Sequence, residues 1–417
     1  MPRSNEAASL QSQTDFLSQL VQISPLYEDF SAQRNAALAI ADRLEIFGWD
    51  EVALQRFSAW DLRDDPQYID VSSFGGEYDA DLDRPKNNVV GILRSGKPGK
   101  TVILNGHFDV EPVTDKERWT VDGNSGRVVD GNLWGRGSTD MLGGLSSQLY
   151  VASRLAADRN NWAGQIIFTA VTDEEIGGNG TLAVLKKLSE EGHLDTDEEI
   201  SCLIAEPSEG VIALESLGFM LMNLRTRGNV GHLAGAEKSD SAIYPMLEAV
   251  DDLETILRTS AQNIFPDSDG LPFNIGSLNG GFDAATTMSS LVAESVVFYS
   301  VDIGANALRE SISAEISKRA GGLEVEFPDL SFDGHRSSYG DLARALVTSR
   351  PNPLIETGIF PSPCDARLFG PFGIDNVVIY GPGSIKQAHA VDEHISIGDI
   401  DQYNTHLEAA LRQYLAG

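Results

Sequence analysis

Long apolar runs are missing from this chain. No segment comes near the ~18 consecutive apolar residues of a membrane helix, so no span is expected. Cysteine is scarce. Cys202 and Cys364 are the only two in 417 residues, which excludes a disulfide framework and points to a reducing cytoplasm. The opening stretch, MPRSNEAASLQSQ, lacks the apolar centre of an export signal. Positive charge is also in short supply: 31 Lys and Arg stand against 62 Asp and Glu, a net charge of −31. Such a surface repels nucleic acid and anionic lipid, so neither is expected as a partner. Repeats and low-complexity tracts are absent.

What is present is enough apolar residue, 41%, for packed cores, and a length that favours two domains. Residues 11–48 read as helical, with Phe16, Leu17, Leu20 and Val21 near helical spacing. Short apolar runs follow at Asn88–Leu93, Thr101–Leu104, Gln165–Val171, Ser201–Ile204 and Asn376–Tyr380, with helical patterns between several of them, as at Leu142–Leu155 and Gly180–Glu190. This alternation predicts an α/β domain with a mostly parallel sheet covered by helices on both faces. The middle of the chain reads as strand Leu217–Thr226, helix Ser241–Leu257, strands Phe273–Leu278 and Ser295–Asp302, helix Ala307–Arg319 and strand Leu323–Phe327. That order is the ferredoxin-like split unit. The expected organisation is therefore a discontinuous domain, 1–214 and 330–417, with an inserted α+β domain at 215–329.

The ends of the large-sheet strands carry the chemistry. Thr101–Leu104 leads into Asn105-Gly106-His107-Phe108-Asp109, and Gln165–Val171 into Asp173, Glu174 and Glu175. Ser201–Ile204 leads into Glu206, and Asn376–Tyr380 into a Gly-Pro-Gly turn and His389. Asp140 follows the glycine-rich GRGST. Taken singly, each has a plain reading: a surface histidine, solvated acids, a helix N-cap at Asp140. Together they converge on the carboxyl edge of one sheet, where α/β proteins bind ligands. Two imidazoles and several carboxylates form a mixed N/O donor set suited to Zn²⁺, Mn²⁺ or Co²⁺. Five donors exceed the need of one catalytic zinc but fit two ions sharing a bridging carboxylate. Of the adjacent Glu174 and Glu175, one can then bind metal while the other stays free as a general base.

The segments NGHFDVEP, LWGRGSTDMLGGL, TDEEIGGNGT, AEPS, GNVGHLA, PCDARLF and GPGSIKQAHAVDEHI occur in this order. In that series the chain resembles the M20 metallopeptidases, amidohydrolases of the acetylornithine deacetylase, succinyl-diaminopimelate desuccinylase and glutamate carboxypeptidase kind. The resemblance implies a zinc-peptidase-like α/β domain with an inserted lid that usually dimerises, and one or two divalent ions per subunit. It assigns His107 and Glu206 to one metal, Glu175 and His389 to the other, and Asp140 to both. Asp109 would orient His107, and Glu174 would be the general base. His232 would reach the partner subunit's site and stabilise the oxyanion. Arg367 would position substrate or pair with an acid. The implied activity is hydrolysis of a C–N bond in a small acidic substrate by metal-activated water, in a cytoplasmic homodimer or higher homo-oligomer. Amide cleavage, by deacylating an N-acyl amino acid or cutting a dipeptide, is the leading expectation.

Three positions depart from the family pattern: Leu142 where many relatives have lysine, the run Phe282 to Met288, and Gly304 where relatives often carry an arginine. Arg225, Arg227 or Arg309 would have to replace that arginine. The departures keep open a hydrolytic deaminase of an aromatic amine, resembling nitroanthranilate aminohydrolase. A non-catalytic metal- or ligand-binding relative is the third reading, and an intact Glu174 speaks against it.

Overall fold

The computed structural model describes residues 9–70, 84–232, 234–318, 322–350 and 357–416. The chain divides into two compact units, one of residues 1–215, 337–360 and 364–417, the other of residues 216–336 and 361–363. Among the described residues no helix is long and apolar enough to cross a membrane.

The larger unit opens with helices α1 (Leu10–Ile23) and α2 (Phe30–Ile46), capped by Ser9 and Asp29, whose side chains accept from backbone N–H groups of the first turn. Strands β1 (Glu51–Phe57), β2 (Lys86–Arg94) and β3 (Thr101–His107) follow, then β4 (Arg127–Val129) and β5 (Asn132–Trp134). Next come α3 (Gly143–Ala156), β6 (Gln165–Val171), α4 (Asn179–Glu190), β7 (Ile200–Pro207) and β8 (Ile212–Ser216). The smaller unit holds β9 (Gly218–Arg227), α5 (Ile243–Gln262), β10 (Phe273–Gly280), β11 (Ser290–Tyr299), α6 (Ala305–Ser317), β12 (Glu324–Glu326) and β13 (Ser331–Phe332). The larger unit resumes with α7 (Asp341–Thr348), β14 (Thr357–Phe360), β15 (Asn376–Gly381), β16 (His394–Ser396) and α8 (Ile397–Tyr414).

The main sheet has eight strands in the order β1-β2-β6-β3-β7-β15-β8-β14. Its centre, β6-β3-β7-β15, is parallel throughout. Strand β2, expected among the parallel strands, runs antiparallel to both of its neighbours, and β8 is antiparallel to β15. The central strands are buried on both faces, which is why they read as unbroken apolar runs. Their period of two still sorts the side chains. Val102, Leu104, Ile166 and Phe168 join one core with Leu17, Ile40, Leu149 and Leu407 of α1, α2, α3 and α8. Ile103, Ile167, Cys202 and Ile204 face the other, packed on Leu182 and Leu185 of α4.

The smaller unit orders its sheet β10-β11-β9-β12, the ferredoxin-like arrangement, with its own core of Met220, Leu224, Leu253, Ile256, Val297 and Leu308. Strand β11 starts at Ser290 and ends at Tyr299; the expected end, Asp302, sits in the turn that precedes α6. The expected end of the second helix, Arg319, lies outside the described residues.

Candidate metal and active site

The four central strands all end at one edge. His107 is the last residue of β3, Glu206 lies near the end of β7, and Glu174 and Glu175 follow β6 within four residues. His389 follows β15 through the turn at Gly381 and Gly383. Asp140 arrives by another route, from an irregular turn between β5 and α3. That turn comes close because α3 begins with glycine: a methyl at Gly144 would run into the carbonyl of Ala205 on β7.

Two donor groups form there, and Asp140 belongs to both. His107, Asp140 and Glu206 place one ligand atom each within 4.8 Å of one another, and Asp140, Glu175 and His389 do the same. The two oxygens of Asp140 are divided between the groups. Oδ1 is 3.3 Å from His107 Nε2, and Oδ2 is 3.4 Å from His389 Nε2. Glu206 Oε1 is 3.8 Å from His107 Nε2, and Glu175 Oε2 is 3.0 Å from His389 Nε2. Glu174 is in neither group, although its Oε2 is 3.9 Å from His107 Nε2. The first group is deeply set, whereas the His389 side chain of the second is 50% exposed.

The three neighbouring acids at the end of β6 part ways. Asp173, in the left-handed region at φ 67°, is buried and gripped by Lys86 Nζ at 2.6 and 2.7 Å. Glu174 turns to the first group and Glu175 to the second. Asp109 holds this turn, since its carboxylate accepts from the backbone N–H groups of Glu174 at 3.4 Å and Glu175 at 3.2 Å. His107 is oriented mainly by the backbone carbonyl of Asp109, which accepts from Nδ1–H at 2.9 Å; the Asp109 carboxylate is 3.8 Å away. Nε2 is thereby left facing the donors.

The electrostatics fit a cation. Burial, then the like charge of Asp140, pushes the Glu206 carboxyl well above the usual range. Burial pushes Glu174 up too, offset in part by His107 and reinforced by Glu206, Asp365 and Glu175. Burial pulls His389 down, but Glu175 and Asp140 outweigh it and hold the imidazole up to about 12. His107 is likewise raised, by Asp140, Glu174, Glu206 and Asp109 against burial. Burial alone would raise Asp140; the two imidazoles hold it well below the carboxylate range. Crowded carboxylates and imidazoles with converging lone pairs are the donor set a divalent ion satisfies in place of protons. On that chemistry the residues fit one ion per group, with Asp140 shared.

Several polar neighbours of the donor groups were not singled out from the sequence. Lys86 is one; with Glu175 assigned to metal and Glu174 to the base, Asp173 was left in need of a cation, which was the available signal. Glu111 is another, pushed up to about 7 by burial and then by Glu175. Arg136 and Glu393 form a buried ion pair beside Asp140. Arg367 donates from Nη2 to the Gly177 carbonyl at 2.6 Å, and its charge acts on Asp365 and Glu174. Asp365 in turn accepts from Thr181 Oγ1 at 2.5 Å, so PCDARLF fastens the loop bearing Glu174.

His232 lies in the smaller unit, exposed, with Nδ1 accepting from the Ala234 N–H at 3.2 Å. Gly304 adopts φ 72° at the start of α6. None of the three arginines weighed as its substitute is idle. Arg227 is bidentate on Glu324 at 2.9 and 3.1 Å, Arg225 lies 3.9 Å from Glu326, and Arg309 donates to Ser331 at 2.6 Å. Leu142 is fully buried in the main core.

Comparison with known proteins gives four matches. The model of peptidase family M20/M25/M40 matches residues 103–413. A succinyl-diaminopimelate desuccinylase of Acinetobacter baumannii (strain AYE) is 27% identical over 340 residues, covering 78% of this chain and 86% of that protein. Human carnosine dipeptidase 1 superposes with a TM-score of 0.69 at 16% identity, over 98% of this chain and 96% of the other. The M20 family metallo-carboxypeptidase Sso-CP2 of Sulfolobus solfataricus gives 0.69 at 15% identity, over 99% of each. The two structural likenesses establish the fold.

Proposed function

Since this chain belongs to peptidase family M20/M25/M40, we propose that it hydrolyses an amide bond in a small acidic substrate, with Glu174 as the proton carrier at a two-cation centre. The observation that carries this reading is the division of Asp140 between two imidazoles, with Glu174 beside the first donor group and part of neither. Zn²⁺, Mn²⁺ or Co²⁺ suits the donors, with His107, Asp140 and Glu206 holding one ion and Asp140, Glu175 and His389 the other. When bound, such ions supply positive charge that polarises a carbonyl and makes water easier to deprotonate.

The chain's own residues do the rest. The Glu174 carboxylate accepts a proton from the attacking water and delivers it to the leaving nitrogen, so that amide and water become acid and amine. Burial and the neighbouring acids raise its proton affinity, which suits both halves of that transfer. Asp109 keeps Glu174 and Glu175 in place through their backbone N–H groups. His232 is proposed as a donor to the developing oxyanion in the partner subunit of a homodimer, where one such donor is worth about 3–4 kcal/mol. Arg367 is proposed as the counter-charge for a substrate carboxylate. The two free, buried cysteines agree with a reducing compartment.

A second reading, release of an amine from an electron-poor aromatic carbon, draws on Gly304 and on the engagement of Arg225, Arg227 and Arg309 within the smaller unit. One experiment separates the two. Protein loaded with Zn²⁺, Mn²⁺ or Co²⁺ is offered N-acetyl and N-succinyl amino acids, dipeptides and amino-substituted aromatic acids. A carboxylic acid and an amine are the products expected. Ammonia without a carboxylic acid would favour the second reading, and no turnover on the whole panel by metal-replete protein would refute both.

A further inference from the structure

The two donor groups are built differently. In the first, two of three donors lie on central strands: His107 ends β3, paired with Val171 of β6, and Glu206 lies in β7 between the paired residues Ile204 and Pro207, where the ladder to β15 shifts register. In the second, no donor lies on a strand. Asp140, Glu175 and His389 all sit in connecting segments, and His389 has φ 59°, in the left-handed region that costs a non-glycine residue about 1 kcal/mol or more. Something beyond the sheet must hold Asp140 and His389 face to face.

A buried charge pair spans the two segments. Arg136 Nη1 donates to Glu393 Oε2 at 2.7 Å, and Arg136 Nη2 donates to the backbone carbonyl of His389 at 3.0 Å. Glu393 Oε1 accepts from the backbone N–H groups of Thr139 at 3.0 Å and Asp140 at 3.3 Å. The Gly135 N–H donates to the Glu393 carbonyl at 2.9 Å. Arg136 is 4% exposed and Glu393 is fully buried. The arginine therefore grips the backbone of one donor, the glutamate grips the backbone of the other, and the two grip each other. Neither residue belongs to a donor group. Asp392 adds an anchor, accepting from Thr120 N–H and Oγ1 at 2.6 and 2.8 Å.

We propose that Arg136 and Glu393 are positioning residues that assemble the second cation site, whereas the first, with two of its three donors on strands, depends on them only through the shared Asp140. This assignment rests on the two-cation reading above. It predicts that loss of the pair separates the two sites in affinity. A buried charge left without its partner is strongly destabilising, whereas removing both charges together is often tolerated.

The test uses Co²⁺ alone as probe, read by visible absorption and by metal-to-protein ratio after gel filtration. Four full-length variants are compared with the parent: R136M, R136K, E393Q and the double variant R136M/E393L. The parent should bind two Co²⁺ per chain. R136M should keep one at parental affinity and bind the second at least tenfold more weakly, whereas the double variant, which also releases the Asp140 backbone, should weaken the second site more than the first. R136K should recover part of the loss, because an ammonium can reach one acceptor but not fork to two. Melting temperature measured beside each titration separates misfolding from loss of the site, and the double variant gives the answer if R136M does not fold. Equal weakening of both sites in a folded variant, or two ions bound with parental affinity, would overturn the assignment. A parent that takes up only one Co²⁺ would overturn the two-cation reading and this assignment with it.

Discussion

Replacing Glu174 by glutamine isolates the proton carrier from the cation donors. The amide matches the carboxylate in size, so packing around the site is kept. Removing a charge from among Glu206, Asp365 and Glu175 relieves repulsion, so the fold should not suffer. Both donor groups are complete without residue 174, so metal content should stay at the parental value. What is lost is the acceptor 3.9 Å from His107 Nε2. General-base catalysis contributes roughly 10²–10⁴-fold. At about 1.36 kcal/mol per tenfold this is a barrier increase of about 2.7–5.4 kcal/mol. Steady-state hydrolysis by the metal-loaded variant should show kcat down by that factor and KM within about threefold, the pattern of a group acting only in the transition state. A kcat within tenfold of the parent at full metal content would refute the assignment. Loss of metal in step with loss of activity would show Glu174 to be a ligand instead.

Three further outcomes follow. Dialysis against a chelator should abolish activity and lower the melting temperature, and Zn²⁺, Mn²⁺ or Co²⁺ should restore both; an ion at a hundred times its Kd stabilises by about 2.7 kcal/mol, which differential scanning calorimetry resolves. His406 should make the protein acid-sensitive. Its imidazole lies between the Tyr380 hydroxyl and the Leu346 carbonyl, each at 2.7 Å, and burial, chiefly, lowers its pKa from 6.5. A base with a depressed folded pKa binds fewer protons folded than unfolded, so its stability contribution is present above about 6.5 and is lost as pH falls through the folded value. Urea midpoints should therefore drop below pH 6.5 more steeply in the parent than in His406→Gln; equal slopes would dismiss the histidine. Gly144→Ala puts a methyl against the Ala205 carbonyl beside Glu206, so it should destabilise the fold by about 1–3 kcal/mol and weaken the first cation site, and unchanged metal affinity would contradict the close packing.

The parts of the architecture that were legible share a cause. Strands β3, β6, β7 and β15 are buried on both faces, so each announces itself as an apolar run, and each ends in a histidine, an acid or a turn leading to one. Position at a strand end is a local property, and it picked out four of the five residues found in the two donor groups; the fifth, Asp140, was marked by the glycine-rich turn before it. Strand β1 escaped notice because its face is half exposed and carries Gln55 and Arg56. Strands β4, β5 and β16 escaped because each is three residues long; β4 and β5 form a short hairpin, and β16 joins β5 from far along the chain. The Arg136–Glu393 pair joins residues 257 positions apart, and nothing near either residue marks the other. Likewise the chain signals a histidine at 107 and an acid at 109, but not that the backbone carbonyl, rather than the carboxylate, meets the imidazole.

The placement of β15 has a consequence for how the molecule comes into being. It is among the last strands made, yet it slots between β7 and β8, deep inside the main sheet. The whole of residues 216–336 is spliced in before it arrives. A gap must therefore stand open in the nascent sheet until synthesis is almost done, with β7 lacking a neighbour on one side. Such late, long-range strand insertion makes for slow acquisition of the native state and a vulnerable interval before it. His389, the imidazole of the second donor group, follows that strand in the chain, so this group is completed only after β15 has been made.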